Sequence, residues 1–159
     1  KDFGECGYFE ARDGCMLAEA MHPARETLPF RGYSIARAYI DQRGRTFPHV
    51  LKNSAETYVI LSGVGTLCAG GEAVALRAGV CAAVPCGVEQ YVVNGGDERL
   101  EFLCIVSPPW SEDDEEIFAV GRKIGRRVET ARFSGFHALP QRAEGAGEFC
   151  CTAADEGAA

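Results

Sequence analysis

Two stretches of the sequence decide how this chain folds: Gly44-Arg-Thr-Phe-Pro-His49-Val-Leu51-Lys-Asn-Ser-Ala-Glu56-Thr-Tyr58-Val-Ile-Leu-Ser-Gly63 and Gly79-Val-Cys-Ala-Ala-Val-Pro85-Cys-Gly87-Val-Glu-Gln90-Tyr-Val-Val-Asn94. Both are short runs of β-branched and aromatic residues between glycine-containing turns, a pattern that is typical of strands. Residues two apart on a strand share a face. His49 and Leu51 should therefore share one face of their strand, and Glu56 and Tyr58 one face of the next.

Further short strands extend from these stretches in both directions along the chain. Apolar runs between turn residues predict strands at 34–40, 46–52, 56–62, 65–69, 73–77, 80–84, 88–93 and 100–106. Even spacing without a helical pattern between the strands is typical of a sandwich or barrel. Closure of the sheet would also protect the edges of so many strands. The sequence therefore predicts an all-β domain.

The ends of the chain differ from this middle part. Residues 1–33 form an N-terminal arm, in which 8–11 and 15–21 should make a hairpin around Asp13 and Gly14. Residues 34–110 form the barrel core, 111–140 a C-terminal helix and extension, and 141–159 an Ala-, Gly- and Glu-rich tail that we expect to be mobile. The short helix should begin at Ser111, with Asp114 as its capping partner. It should contain Glu115, Ile117, Phe118 and Val120.

Bulk composition excludes several classes of partner. The chain of 159 residues is one domain long, and its 47% hydrophobic and 25% charged residues are typical of a globular protein. A formal charge of −7 argues against nucleic acid and anionic membranes as partners. Neither a bilayer-spanning apolar run nor a signal-peptide core is present. The eight cysteines show no C-x2-C pair, so we expect reduced thiols and a cytoplasmic location.

The two quoted stretches resemble the two motifs of the cupin family, G-x5-H-x-H-x3–4-E-x6-G and G-x5-P-x-G-x2-H-x3-N. The spacing from Glu56 to Gly63 matches, as does every spacing in the second motif. Leu51 stands where the second histidine of the pattern belongs, and Gln90 where the third belongs. The resemblance implies a cupin jelly-roll barrel, a double-stranded β-helix with a small-molecule pocket in its mouth.

More narrowly, the chain resembles small single-domain cupins of the cupin-2 type. The residues that carry this likeness are Pro48-His49-Val50-Leu51, Gln90, the run from Phe102 to Val106, and Pro108-Pro109-Trp110. Proteins of this kind are often labelled mannose-6-phosphate isomerase-like. Small cupins usually pair their barrels, so the resemblance also implies a homodimer.

The resemblance places a degenerate metal site in the pocket. His49, Glu56 and Gln90 would be the ligands of a divalent transition metal such as Zn, Fe, Mn or Ni. Leucine supplies no donor, and an amide is a weaker donor than imidazole. We therefore expect a metal to be held weakly or not at all.

The candidate site follows from the same positions. His49 and Glu56 are the predicted catalytic pair, with His49 as a base that Glu56 orients. The predicted pocket wall consists of Leu51, Tyr58, Gln90, Cys104 and Trp110. Three functions remain open at this point: an isomerase, epimerase or lyase on a small polar metabolite; a non-catalytic small-molecule binding or sensing protein; and a metal-dependent dioxygenase in which Cys104 or His22 completes the ligand set.

Overall fold

The computed structural model describes residues 2–118, which form two antiparallel sheets and one short 3-10 helix, Phe3–Glu5. The strands are, in chain order, β1 Phe9–Glu10, β2 Met16–Met21, β3 Ser34–Ile40, β4 His49–Leu51, β5 Ala55–Ser62, β6 Val64–Ala69, β7 Glu72–Arg77, β8 Cys81–Val84, β9 Gln90–Val93, β10 Leu100–Ser107 and β11 Glu115–Ile117. One sheet has the order β1-β2-β3-β10-β5-β8 and the other β11-β4-β9-β6-β7. The predicted all-β architecture is confirmed.

The alternation of buried and less buried residues sets the inside of the barrel. β10 alternates strictly from Leu100 to Val106, and β5 alternates in the same way from Glu56 to Ile60. The register pairs Cys104 with Tyr58, so both side chains point to the same face. The core between the sheets is built from residues such as Ile60, Leu67 and Phe102, each with at most 2% of its surface exposed.

Glycine and asparagine at the ends of the two quoted stretches fix the backbone where those stretches end. Gly63 has φ +81°, and a Cβ there would lie 2.4 Å from the carbonyl oxygen of Arg99, so no other residue fits. The buried amide nitrogen of Asn94 lies 2.8–3.0 Å from the carbonyl oxygens of Ile40, Asp41 and Glu98. The matching spacing of the second stretch therefore has an architectural cause.

The N-terminal hairpin forms as predicted and extends the first sheet. Phe9 pairs with Leu17 across the turn, and Gly14 occupies the left-handed region at φ +86°. The carboxylate of Asp13 accepts a hydrogen bond from the backbone of Cys15, which closes the turn. β2 then pairs antiparallel with β3, so this hairpin lies against the barrel of its own chain.

The predicted helix after residue 110 needs correction. Glu115, Glu116 and Ile117 form β11, which pairs antiparallel with β4 in the register Glu115↔Leu51 and Ile117↔His49. Asp114 does cap backbone groups, but those of Asn53 and Ser54 rather than those of a helix. The unpaired edge of β4 thus takes up a segment that is too short to show strand alternation in sequence. The rest of the predicted helix and the 141–159 tail lie outside the described residues.

Candidate functional site

A cavity of about 170 Å³ opens at one end of the barrel, between the two sheets. Its volume is close to the roughly 150 Å³ of an engineered apolar cavity that holds benzene, so a single-ring metabolite fits it. Most of the wall is apolar, and polar groups converge at its inner end. Three parts of the chain surround it: the strands of the barrel core, the N-terminal hairpin and β11.

The structure brings the sequence-predicted site residues together. The cavity is lined by six of them: His49, Leu51, Glu56, Tyr58, Cys104 and Trp110. Gln90, the seventh, is 1% exposed and lies behind the wall, where its side chain contacts those of Glu56 and Tyr58. It therefore supports the site from the core side.

Glu56 is the centre of the buried polar network. Its Oε2 atom accepts a hydrogen bond of 2.8 Å from the amide nitrogen of Gln90. The hydroxyl of Tyr58 lies 3.1 Å from this oxygen and 3.1 Å from the amide oxygen of Gln90, so its single proton can serve either acceptor. Burial alone would raise the pKa of Glu56, but His49, Cys104 and Tyr58 lower it below its usual value. Glu56 is therefore an anion at neutral pH.

His49 is the cationic partner of this carboxylate. Its Nε2 atom lies 3.6 Å from Oε2 of Glu56, and its Nδ1 atom lies 3.2 Å from the carbonyl oxygen of Phe47. Burial acts to lower the pKa of His49, but the adjacent carboxylate outweighs it, and the pKa is raised to about 9. The imidazole is therefore protonated at neutral pH, with each ring nitrogen facing an acceptor.

The other titratable groups at the inner end remain protonated. Burial raises the pKa of the Cys104 and Cys15 thiols well above the usual value, and nearby carboxylates add to the effect. The pKa of Tyr58 is raised well above its usual value for the same two reasons. A thiolate is the reactive form of cysteine, so these thiols are walls of the cavity rather than nucleophiles.

Trp110 is held in place at the cavity by main-chain contacts. Its backbone nitrogen donates to the hydroxyl of Ser34 at 3.0 Å, and its carbonyl oxygen lies 2.8 Å from Nε2 of His22. Because Nδ1 of His22 accepts from the backbone of Ala24 at 3.2 Å, the proton belongs on Nε2. Both nitrogens of His22 are thus used, and this residue does not line the cavity.

Sequence reasoning missed several charged residues of the cavity wall, among them the ion pair of Arg12 and Glu115. Nη1 of Arg12 lies 3.5 Å from Oε2 of Glu115 and donates to the carbonyl oxygen of Glu112 at 3.1 Å. Burial raises the pKa of Glu115, against the opposing charges of His49 and Arg12. The site therefore has two carboxylates with pKa values moved in opposite directions. Neither residue falls within the motif stretches, and only the β4–β11 pairing turns Glu115 inward.

Comparison with known proteins gives the family. The cupin domain model matches residues 39–106. An uncharacterized protein of Methanocaldococcus jannaschii is 30% identical over 108 residues, which are 67% of this chain and 83% of that protein. The chain belongs to the cupin family. The mannose-6-phosphate isomerase-like label receives no support from these relatives.

Solved structures with the same barrel include proteins of different activities. A Streptomyces protein, Pac13, described as a nucleoside dehydratase and solved with uridine, superposes with a TM-score of 0.59 at 20% identity, covering 74% of this cupin and 88% of that chain. A predicted oxalate decarboxylase of Thermotoga maritima gives a TM-score of 0.58 at 21% identity, covering 67% and 96%. At these identities the likeness shows the fold alone. Within residues 2–118, no helix has the length and hydropathy that a membrane span requires.

The donor set of this cupin does not fit a tightly held divalent metal. Of its three predicted ligands, His49 and Gln90 each direct a nitrogen at Oε2 of Glu56, and the amide oxygen of Gln90 faces the Tyr58 hydroxyl. A metal at this place would have to displace the proton of His49 and the hydrogen bonds that Glu56 and Gln90 already make. Residues 2–118 contain no group of three or more His, Cys, Asp or Glu side chains arranged to hold an ion.

Proposed function

We propose that this cupin is an enzyme that moves protons on a small polar metabolite: an isomerase, epimerase or lyase. The observation that carries the proposal is the buried His49–Glu56 pair at the inner end of a ring-sized cavity, with the Tyr58 hydroxyl beside it. A buried ion pair is costly to maintain, and perturbed pKa values in a cleft are typical of functional sites.

The charge of His49 suggests a general acid rather than the base expected from the sequence. An imidazolium at neutral pH can donate a proton to a leaving hydroxyl or to a carbonyl oxygen. Glu115, whose pKa is raised, supplies a carboxylate able to accept a proton from carbon. In an elimination, Glu115 would take the C–H proton while His49 protonates the hydroxyl, and water leaves. Two groups with pKa values moved apart are suited to these acid and base roles.

The similar Streptomyces structure adds a chemical precedent for one of these classes. It is described as a nucleoside dehydratase and was solved with uridine. Dehydration is an elimination, so a barrel of this shape accommodates such chemistry. Neutral single-ring compounds, sugars first, are therefore the compounds to test with this cupin, because its cavity accommodates one ring.

The experiment is a turnover screen with matched variants. Compounds that change the fluorescence of Trp110, the single tryptophan of the chain, are incubated with the protein and followed by NMR. His49→Gln and Glu115→Gln should each lower turnover about 10²- to 10³-fold. Glu116→Gln, which alters the exposed neighbour of Glu115, should leave it unchanged. Full turnover in His49→Gln would overturn the acid role, and binding without turnover would support the non-catalytic alternative.

The homodimer and the cytoplasmic location remain predictions that rest on the family resemblance and on the composition. Light scattering coupled to size-exclusion chromatography measures the first directly. A mass of one chain at micromolar concentration would contradict it.

A further inference from the structure

Cationic and anionic side chains both line the cavity. Each of its three cationic side chains lies beside a carboxylate: Nε2 of His49 is 3.6 Å from Glu56, Nη1 of Arg12 is 3.5 Å from Glu115, and Nη1 of Arg25 is 3.1 Å from Glu19. All six residues belong to the cavity wall. Each cation around the cavity is thus already paired with a carboxylate, which offsets its attraction for a phosphate or carboxylate of a ligand.

Two further carboxylates of the wall add negative charge around the cavity. Glu10 and Asp13 line the cavity on the N-terminal hairpin. Within residues 2–118, no Lys, Arg or His side chain lies within ion-pair distance of either of them. The carboxylate of Asp13 instead contacts Cys15, whose backbone nitrogen donates to it at 3.1 Å. The wall therefore carries more carboxylates than cations.

The excess does not depend on the protonation state of Glu115. If burial keeps that carboxyl neutral, four carboxylates still face three cations around the cavity. The formal charge of −7 for the whole chain acts in the same direction. Apolar walls of low dielectric strengthen such interactions, since they exclude the water that would screen them.

We propose that this cavity takes a neutral or cationic single-ring metabolite and rejects anionic ones, sugar phosphates and carboxylic acids included. The inference rests on the function proposed above, because it assumes that the cavity is the ligand site. It adds the substrate class. Mannose 6-phosphate, the substrate that the label of similar cupins implies, falls in the rejected class.

Three ring compounds of nearly equal shape and different charge test this selection: benzamidinium, benzamide and benzoate. Titration at low ionic strength and pH 7.5, followed by Trp110 fluorescence, gives a dissociation constant for each. Benzamidinium should bind about tenfold more tightly than benzoate, with benzamide between them. Salt should narrow the difference, because it screens exposed charges.

Matched variants locate the cause of the difference. Asp13→Asn together with Glu10→Gln should reduce the gap to about threefold or less, since both variants keep the shape of the wall. Asn at 13 can still accept the hydrogen bond that closes the turn. Two replacements outside the cavity wall, Glu116→Gln and Glu72→Gln, remove the same charge and should leave the gap unchanged.

The outcomes separate the two proposals. Benzoate binding as tightly as benzamide, or more tightly, would overturn the charge selection and leave the cavity as a ligand site. A charge preference that persists in the double variant would overturn the assignment of the selection to the hairpin carboxylates, Glu10 and Asp13. Failure of all three compounds to change Trp110 fluorescence at millimolar concentration would overturn the selection and the proposed ligand site together.

Discussion

Two buried amides, one at each end of β9, use their hydrogen bonds in different ways. Asn94, just beyond the strand, directs its side chain to backbone groups: the carbonyls of Ile40, Asp41 and Glu98, and the nitrogen of Gly96. Gln90, the first residue of the strand, directs its amide to other side chains. Both are 1% exposed. The difference teaches that an amide bonded to backbone holds loops together, whereas one bonded to ionisable side chains positions a site.

The largest expected effect on stability comes from removing the side chain of Asn94, the amide that is bonded to backbone groups. Asn94→Ala leaves several buried backbone groups without partners, so we expect the free energy of unfolding to fall by about 4 kcal/mol. Urea denaturation measures it. Gln42→Ala, which removes an exposed amide from the same region, should change the free energy by less than about 0.5 kcal/mol. A small loss in Asn94→Ala would mean that other groups hold these loops.

The pH dependence of stability tests the ionisable pair beside Gln90, His49 and Glu56. His49 has a pKa of about 9 in the folded state and about 6.5 when unfolded, so its stabilisation is complete below pH 6.5. It should be lost as the pH rises to 9, by about 3 kcal/mol. Glu56, with a lowered pKa, stabilises the fold above its usual pKa, and that contribution disappears in acid.

Glu56→Gln provides the control for this pH dependence. The substitution removes the carboxylate that keeps His49 charged, so the alkaline loss of stability should disappear. Denaturation at pH 6 and pH 9 gives the comparison. An alkaline loss that persists unchanged in Glu56→Gln would assign it to another group.

Gln90→Met should have a smaller effect on stability and a distinct effect on the site. The change keeps the volume and removes one hydrogen bond to Glu56, so we expect a loss of about 1 kcal/mol in unfolding free energy. The pKa of Glu56 should rise because the carboxylate loses a hydrogen-bond donor. The pKa of His49 should change as well, because Glu56 is its partner, and NMR measures both values. A large loss of stability with no change at His49 would make Gln90 architectural, like Asn94.

Glu115→Gln should be the least disruptive to the fold. The pair with Arg12 is partly exposed, so the free energy of unfolding should change by less than about 0.5 kcal/mol. Its effect should appear in the pH–rate profile instead, where the limb that reports the ionised base is lost. A profile that keeps this limb would assign the base role to another group.

The barrel could be predicted because its signals are local. Alternation and turn residues gave the strand 34–40 within its observed bounds, Ser34–Ile40, and placed 100–106 within Leu100–Ser107. Motif spacing brought His49, Glu56 and Gln90 together. The strand β11 could not be predicted, since three residues show no period and the acidic run before it is typical of a helix start. The Arg12–Glu115 contact joins segments distant in sequence, and no local pattern indicates it.

The sequence also could not show which predicted residues line the cavity and which support it from the core side. Gln90 occupies a motif position and Tyr58 does not, yet of these two only Tyr58 lines the cavity. Which of two inward-pointing side chains reaches the cavity depends on how far each residue lies from the mouth of the barrel. Motif spacing does not encode that distance. The charge of His49 likewise follows from its 3.6 Å approach to Glu56 in a buried setting.

The central claim is that His49 and Glu56 form a buried ion pair at the cavity, and the pKa of His49 tests it most directly. NMR of the protein labelled at histidine, titrated from pH 5 to pH 10, gives this value, with His49→Gln to assign the signal. The account predicts a pKa of about 9 for His49 and a fall of at least about two units in Glu56→Gln. A value at or below about 6.5 that does not respond to Glu56→Gln would contradict it.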